Sequence, residues 1–195
     1  MMHLNFITIV GLTIVVWAIF RLYLAKLRRT LDLTKEGALL ILVIYFLILI
    51  RLTIFKFCII MISSPLNSYQ YTFSGVDGII NIIPFKETVN ILKDGIHNNK
   101  IIRGIILNVI YFIPLGFLLP LLFKKINSFL KIILISTITS SLIEIIQLFT
   151  IFSVSNIDDV IFNIIGSVIG LICFKLFEKI VKKLNIEQVL EKIRY

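Results

Sequence analysis

The sequence predicts an all-α, polytopic integral membrane bundle of about five transmembrane helices. Three observations carry that fold class. Of the 195 residues, 58% are hydrophobic and only 16% charged, whereas soluble domains are about 45–50% apolar and about 25% charged. Mean hydropathy is +1.03. The apolar residues are also gathered into five runs, each near the about 20 residues a membrane helix needs. A water-soluble enzyme, a disordered tail and a disulfide-stapled secreted domain are excluded on these grounds. No internal repeat or second domain breaks the pattern, so residues 1–195 are read as a single membrane domain.

The first run covers residues 4–24 and is followed at once by Lys26, Arg28 and Arg29. No positive segment and no small-residue cleavage site flank it as a signal peptide would require, so it reads as a retained span. The second covers residues 37–62 and contains Arg51 and Lys56. The third, residues 101–123, holds Pro114, Gly116 and Pro120, which predict a kink. The fourth and fifth cover residues 129–152 and 157–180. All five far exceed the strand length of a membrane barrel. Residues 182–195 alternate apolar and basic positions, as an amphipathic cytoplasmic tail does. Cys58 and Cys173 lie in apolar stretches and read as packing residues.

The net charge of +9 has a membrane explanation that needs no nucleic acid. Lys26, Arg28, Arg29 and Lys35 follow the first span, Lys124, Lys125 and Lys131 follow the third, and Lys175, Lys179, Lys182, Lys183, Lys192 and Arg194 follow the fifth. The alternate connections carry few or balanced charges. The positive-inside rule then places the N-terminus outside and the C-terminus in the cytoplasm. A multi-pass protein of a bacterial cytoplasmic membrane is expected, with membrane lipids as its partners.

A charge at the centre of a membrane helix costs about 2.5–3.5 kcal/mol on insertion scales, so each needs a reason. Glu144 and Gln147 share a face of the fourth span, and Asp159, Asn163, Gly166 and Gly170 share one of the fifth. Asn108 lies in the third span and Arg51 in the second. At about 1.5 Å per residue, Glu144 lies roughly 12 Å from the outer end of its run, Asn163 and Asn108 near 9 Å and Arg51 near 16 Å. A single polar layer in the outer half, open to water, is the expectation. The alternative is helix-to-helix hydrogen bonding, worth about 0.6 kcal/mol per contact on average. Asp158 and Asp159 also suit the start of the fifth helix, where acids cap and complement the dipole. Gly166 and Gly170 form a GxxxG, which permits close helix contact and leaves a homodimer open. Glu144, Gln147, Asp159 and Asn163 are oxygen ligands of the kind Mg2+ or Ca2+ takes. No spacing specifies an ion, and the expectation is no metal and no cofactor. His97 stands alone in a loop, and there is no nucleophile elbow, P-loop or dinucleotide fingerprint.

Four motifs in series resemble the VanZ-like family across residues 81–170. They are Asn81-Ile-Ile-Pro84-Phe85, then Asn108-Val-Ile-Tyr-Phe112-Ile-Pro114-Leu-Gly116, then Ser141-Leu-Ile-Glu144-Ile-Ile-Gln147, then Asp158-Asp159-Val-Ile-Phe-Asn163-Ile-Ile-Gly166 with Gly170. The resemblance implies a polytopic membrane protein of Gram-positive bacteria, in a family whose namesake is associated with resistance to teicoplanin. It adds Asn81, Pro84 and Phe85 to the candidate ligand-binding residues Arg51, Asn108, Gln147, Asp158, Asp159 and Asn163. One departure stands out. Many members carry an Arg shortly before the paired aspartates, whereas this chain has Phe152, Ser153, Val154, Ser155 and Asn156 there. Arg103, Arg51 and Lys86 are the cations that would replace it.

Three functions fit these residues. An outward polar pocket ringed by apolar helices would bind or modify an amphiphile at the outer leaflet, such as a lipoglycopeptide or a lipid-linked cell-wall precursor. A membrane-embedded enzyme would use Glu144 as general acid or base. A small transporter or flippase would need polar groups continuing to the inner face, and the inner ends of these runs are mostly apolar.

Overall fold

The computed structural model describes residues 6–28, 32–54, 80–81, 83–85, 88–89, 99–148 and 155–195. Lys56, Cys58, Lys86 and His97, and the outer ends of the second and fourth expected runs, lie outside them. The described chain is built from helices α1 (Phe6–Arg28), α2 (Leu33–Ile54), α3 (Asn99–Leu122), α4 (Phe129–Leu148), α5 (Ile157–Lys183) and α6 (Glu187–Ile193). Two-residue strands β1 (Ile80–Asn81) and β2 (Ser155–Asn156) pair in parallel, with Ile80 opposite Ser155 and Asn81 opposite Asn156. Among the described residues four helices are long and apolar enough to cross a membrane: Leu33–Thr53, Ile102–Leu122, Phe129–Gln147 and Ile157–Lys183. The first expected span falls in α1, where Gly11–Tyr23 is an apolar helical stretch among the described residues. The all-α membrane bundle is thus the observed fold.

Local chemistry sets the helix ends. Asp32 starts α2: its carbonyl accepts the Glu36 N–H at 3.0 Å and its carboxylate accepts the Thr34 N–H at 3.2 Å. The Thr34 hydroxyl also donates to that carboxylate, holding it below the usual carboxylate range. Asn156 caps α5, its side chain accepting the Asp158 N–H at 3.0 Å. The cap expected of an aspartate therefore belongs to the asparagine before the helix, which frees both acids for other contacts.

The centre of the bundle is the parallel pair α3 and α5. A Cβ at Gly166 would lie 2.1 Å from the carbonyl oxygen of Val109, one at Gly170 2.0 Å from that of Ile113, and one at Gly116 1.8 Å from that of Ser167. Backbone meets backbone at all three, which only glycine permits, and such contacts bring dispersion and Cα–H···O attraction where lipid supplies no hydrophobic drive. The glycine face of α5 is thus occupied by α3 of the same chain. Helix α3 runs on through Pro114 and Pro120, and at Gly116, where the sequence predicts a kink, the bundle is closely packed against Ser167.

Around this pair, Phe112, Leu115, Leu119 and Leu122 of α3 pack with Leu171 and Phe174 of α5, Ile132 and Ile143 of α4, and Leu42 and Leu49 of α2. The Tyr45 hydroxyl donates to the Tyr111 carbonyl at 3.0 Å, tying α2 to α3. Outward stripes remain apolar and exposed: Leu130, Leu134, Ile138, Leu142 and Ile145 on α4, and Ile165, Ile169, Ile172, Leu176 and Ile180 on α5. Stripes at these steps of three and four face lipid in a membrane.

At the far end from β1 and β2 the chain closes on itself. Helix α5 continues to Lys183, and Asn185, at φ 56°, turns the chain back into α6. Arg194 pairs with Glu178 at 2.8 Å, and the Tyr195 N–H donates to the Leu122 carbonyl at 2.7 Å. Leu190 and Val181 are buried there, so the amphipathic tail returns to the bundle through its apolar positions. Arg21 of α1 bonds Glu36 of α2 at the same end. Cys173 is a free, exposed cysteine on α5.

Candidate functional site

The polar residues singled out in the sequence gather at one end of the bundle, where α4 ends and α5 begins. They are joined by pairwise hydrogen bonds between elements. The side-chain amide of Gln147 donates to the Thr53 carbonyl of α2 at 3.0 Å. Glu144 accepts the Asn156 N–H of β2 at 3.2 Å. The Asn108 amide of α3 donates to the Asp159 carboxylate at 2.6 Å. The Asn163 amide donates to the Ser140 hydroxyl oxygen at 2.7 Å, between α5 and α4.

These bonds differ from the single layer that residue counting predicts. Asn163 is level with Ser140, one turn nearer the start of α4 than Glu144. The polar groups form a ladder along the helices, with Gln147 and Glu144 on its outer rungs and Asn163 on the inner one. Glu144, Gln147, Asp158 and Asn163 are buried and Asp159 half-buried. Arg51 stands in the last turn of α2, near Thr53, and is exposed. Arg103 is exposed on α3.

Asp158 has a separate task. One carboxylate oxygen accepts the Phe85 N–H at 2.6 Å and the other accepts the Thr88 hydroxyl at 2.8 Å. The residue is 2% exposed, so its charge is met by hydrogen bonds from the preceding loop. Phe85 adopts a positive φ of 61°, and its ring stacks edge-on to Phe162 of α5 at 6.5 Å. Together with the pairing of Asn81 to Asn156, this holds the segment carrying Asn81, Pro84 and Phe85 over the start of α5. Pro84 and Phe85 are exposed there.

Thr53, Thr88, Ser140 and Asn156 complete the arrangement. Asn156 was legible as a cap, since it stands directly before an apolar run. Thr88 and Thr53 carry no local signal, because their partners are distant in sequence. Thr137 of α4 bonds back to the Ile133 carbonyl of its own helix at 2.8 Å. Among the described residues no group of three or more His, Cys, Asp or Glu side chains is placed to hold a metal ion. A cavity of about 350 Å3 lies at the opposite end, lined by Lys124, Glu178, Lys182, Glu187, Arg194 and Tyr195 among others.

Chemically, the ladder offers carboxylates and amides within an apolar wall, beside a tethered loop with an exposed ring. These features define a small helical membrane protein with a polar site at one end of its bundle. Sequence comparison makes the class specific. The VanZ/LLP1 family matches residues 38–178, and the chain belongs to that family. It is similar to Protein VanZ of Enterococcus faecium, with 32% identity over 150 residues, covering 77% of this chain and 81% of that protein. No solved structure matches it.

Proposed function

We propose that the chain is a VanZ-type resistance protein of a bacterial cytoplasmic membrane. In this reading the polar ladder opens to the cell exterior, with the N-terminus outside and the C-terminus in the cytoplasm. The site binds or modifies an amphiphile of the outer leaflet, either a lipoglycopeptide of the teicoplanin type or a lipid-linked cell-wall precursor. Family membership supports the resistance role. The observation that carries the site is the meeting of Glu144, Asp159, Asn108 and the Asp158-tethered loop around the start of α5. A polar head group would meet carboxylates and amides, and its acyl chain would lie along the apolar stripes of α4 and α5.

An enzyme reading assigns Glu144 the role of general acid or base, favoured by its burial at 6% exposure within the ladder. The fully buried Ile132, Leu171 and Phe174 toward the other end weigh against a through-path for transport.

The test is teicoplanin susceptibility of a sensitive host expressing the wild type or Glu144→Gln, with mass spectrometry of lipids and cell-wall precursors. Raised resistance that Asp159→Asn or Glu144→Gln abolishes at equal protein level supports the site. A changed lipid or precursor inventory, lost in Glu144→Gln, selects modification. An unchanged inventory with resistance selects binding. Unaltered susceptibility with the wild type, or full resistance in both variants, overturns the proposal.

A further inference from the structure

Ser136, Ser140 and Glu144 recur every fourth residue on α4, and Asn163 and Ser167 do so on α5. The two helices run antiparallel. With Asn163 bonded to Ser140 at 2.7 Å, one further turn away from the polar end sets Ser136 level with Ser167. All four small polar residues are enclosed: Ser136, Ser140 and Ser167 are 0% exposed and Asn163 4%. Ser167 gives its proton to the Phe112 carbonyl at 3.3 Å. Two atoms on this face have no hydrogen-bond partner among the described residues, the Asn163 Oδ1 and the Ser136 Oγ.

Buried polar atoms in a membrane bundle are met by protein or by ordered water, because lipid offers no partner. One helical turn is about 5.4 Å, comparable with the about 4.5 Å that one water spans with two hydrogen bonds of about 2.8 Å at its tetrahedral angle. Buried waters make about three such bonds and occupy polar sites. Ile132, Leu171 and Phe174, all fully buried, close the face beyond Ser136 and Ser167.

We propose that Ser136, Ser140, Asn163 and Ser167 enclose an internal water site, a closed slot leading from the inner rung of the ladder toward mid-membrane. The water donates to Asn163 Oδ1 and bonds the Ser136 hydroxyl, with the Ser167 oxygen in reach as a third partner. This site is independent of the ligand proposed above, since hydration is needed whatever the outer rungs bind.

A mutant cycle on the purified full chain in detergent tests it. If one water joins Ser136 to Asn163, Ser136→Ala and Asn163→Leu each lower Tm, and the double variant is no less stable than the weaker single one. Should Asn163→Leu fail to accumulate, Ser167→Ala replaces it in the cycle with the same expectation. Cross-relaxation from water to the Ser136 amide proton in the wild type supplies a second, mutation-free readout. A dry slot predicts the reverse: Ser136→Ala leaves Tm unchanged or raises it by removing an unmet hydroxyl, the two substitutions add, and the water cross-peak is missing. Any of these three results overturns the proposal.

Discussion

The amide of Asn108 donates to the carboxylate of Asp159 across 2.6 Å, coupling the first half of α3 to the first turn of α5. The contact lies on the same two helices that the glycines bring together, so backbone packing and polar pairing reinforce one another. A hydrogen bond to a charged group contributes about 1.5–3 kcal/mol in soluble proteins, whereas interhelical bonds in membranes average about 0.6. Asn108→Ala is expected to cost about 1–2 kcal/mol, measured by reversible unfolding in detergent. Wild-type stability would show that Asp159 is held by its other contacts.

Gly170→Ala puts a methyl group 2.0 Å from the Ile113 carbonyl oxygen, where both walls are backbone. The helices must separate, and an overpacked contact of this kind costs about 1–3 kcal/mol. Gly104→Ala is the control, because nothing lies within 4 Å of its added Cβ. Equal Tm values for the two variants would contradict the close packing.

Asp158→Ala removes the acceptors of the Phe85 N–H and the Thr88 hydroxyl together. The loop tether is then left to β1 and the Phe85–Phe162 contact. Hydrogen exchange at the Phe85 amide is expected to quicken at least about tenfold, the change that about 1.4 kcal/mol of local stability gives. Exchange in the core of α3 is expected to change far less.

Tyr195 provides a pH-dependent contact at the other end. Burial first, and then the negative charge of Glu36, raise its phenol above the ordinary value. The neutral form is therefore favoured by the fold: its contribution is complete below about pH 10, the ordinary tyrosine value, and is lost as pH rises through the folded value. The phenolate absorbance difference between wild type and Tyr195→Phe should titrate above a model tyrosine. A coincident titration would remove the linkage.

Much of this was readable before any coordinates. Run length gave the bundle, and the rarity of Glu144, Asn108 and Asp159 in apolar runs marked the polar end. What the sequence hid was pairing. Asn163 and Glu144 looked level by residue counting, but the true register sets Asn163 against Ser140, because helix ends and crossing geometry are not encoded by run boundaries. Gly116 looked like part of a kink, since nothing local shows that the Ser167 carbonyl lies against it. Asp158 looked like a cap, because its loop partners lie about seventy residues earlier.

The parallel seam between α3 and α5 also dictates an order of assembly. Helix α3 leaves the ribosome well before α5, so its carbonyl-lined groove waits for glycines not yet made. Until they arrive, Asn108 has no Asp159, Ser140 no Asn163, and Glu144 no Asn156. A nascent chain halted after α4 would lack those bonds, and its last long helix is the piece that turns an insertion intermediate into a finished protein.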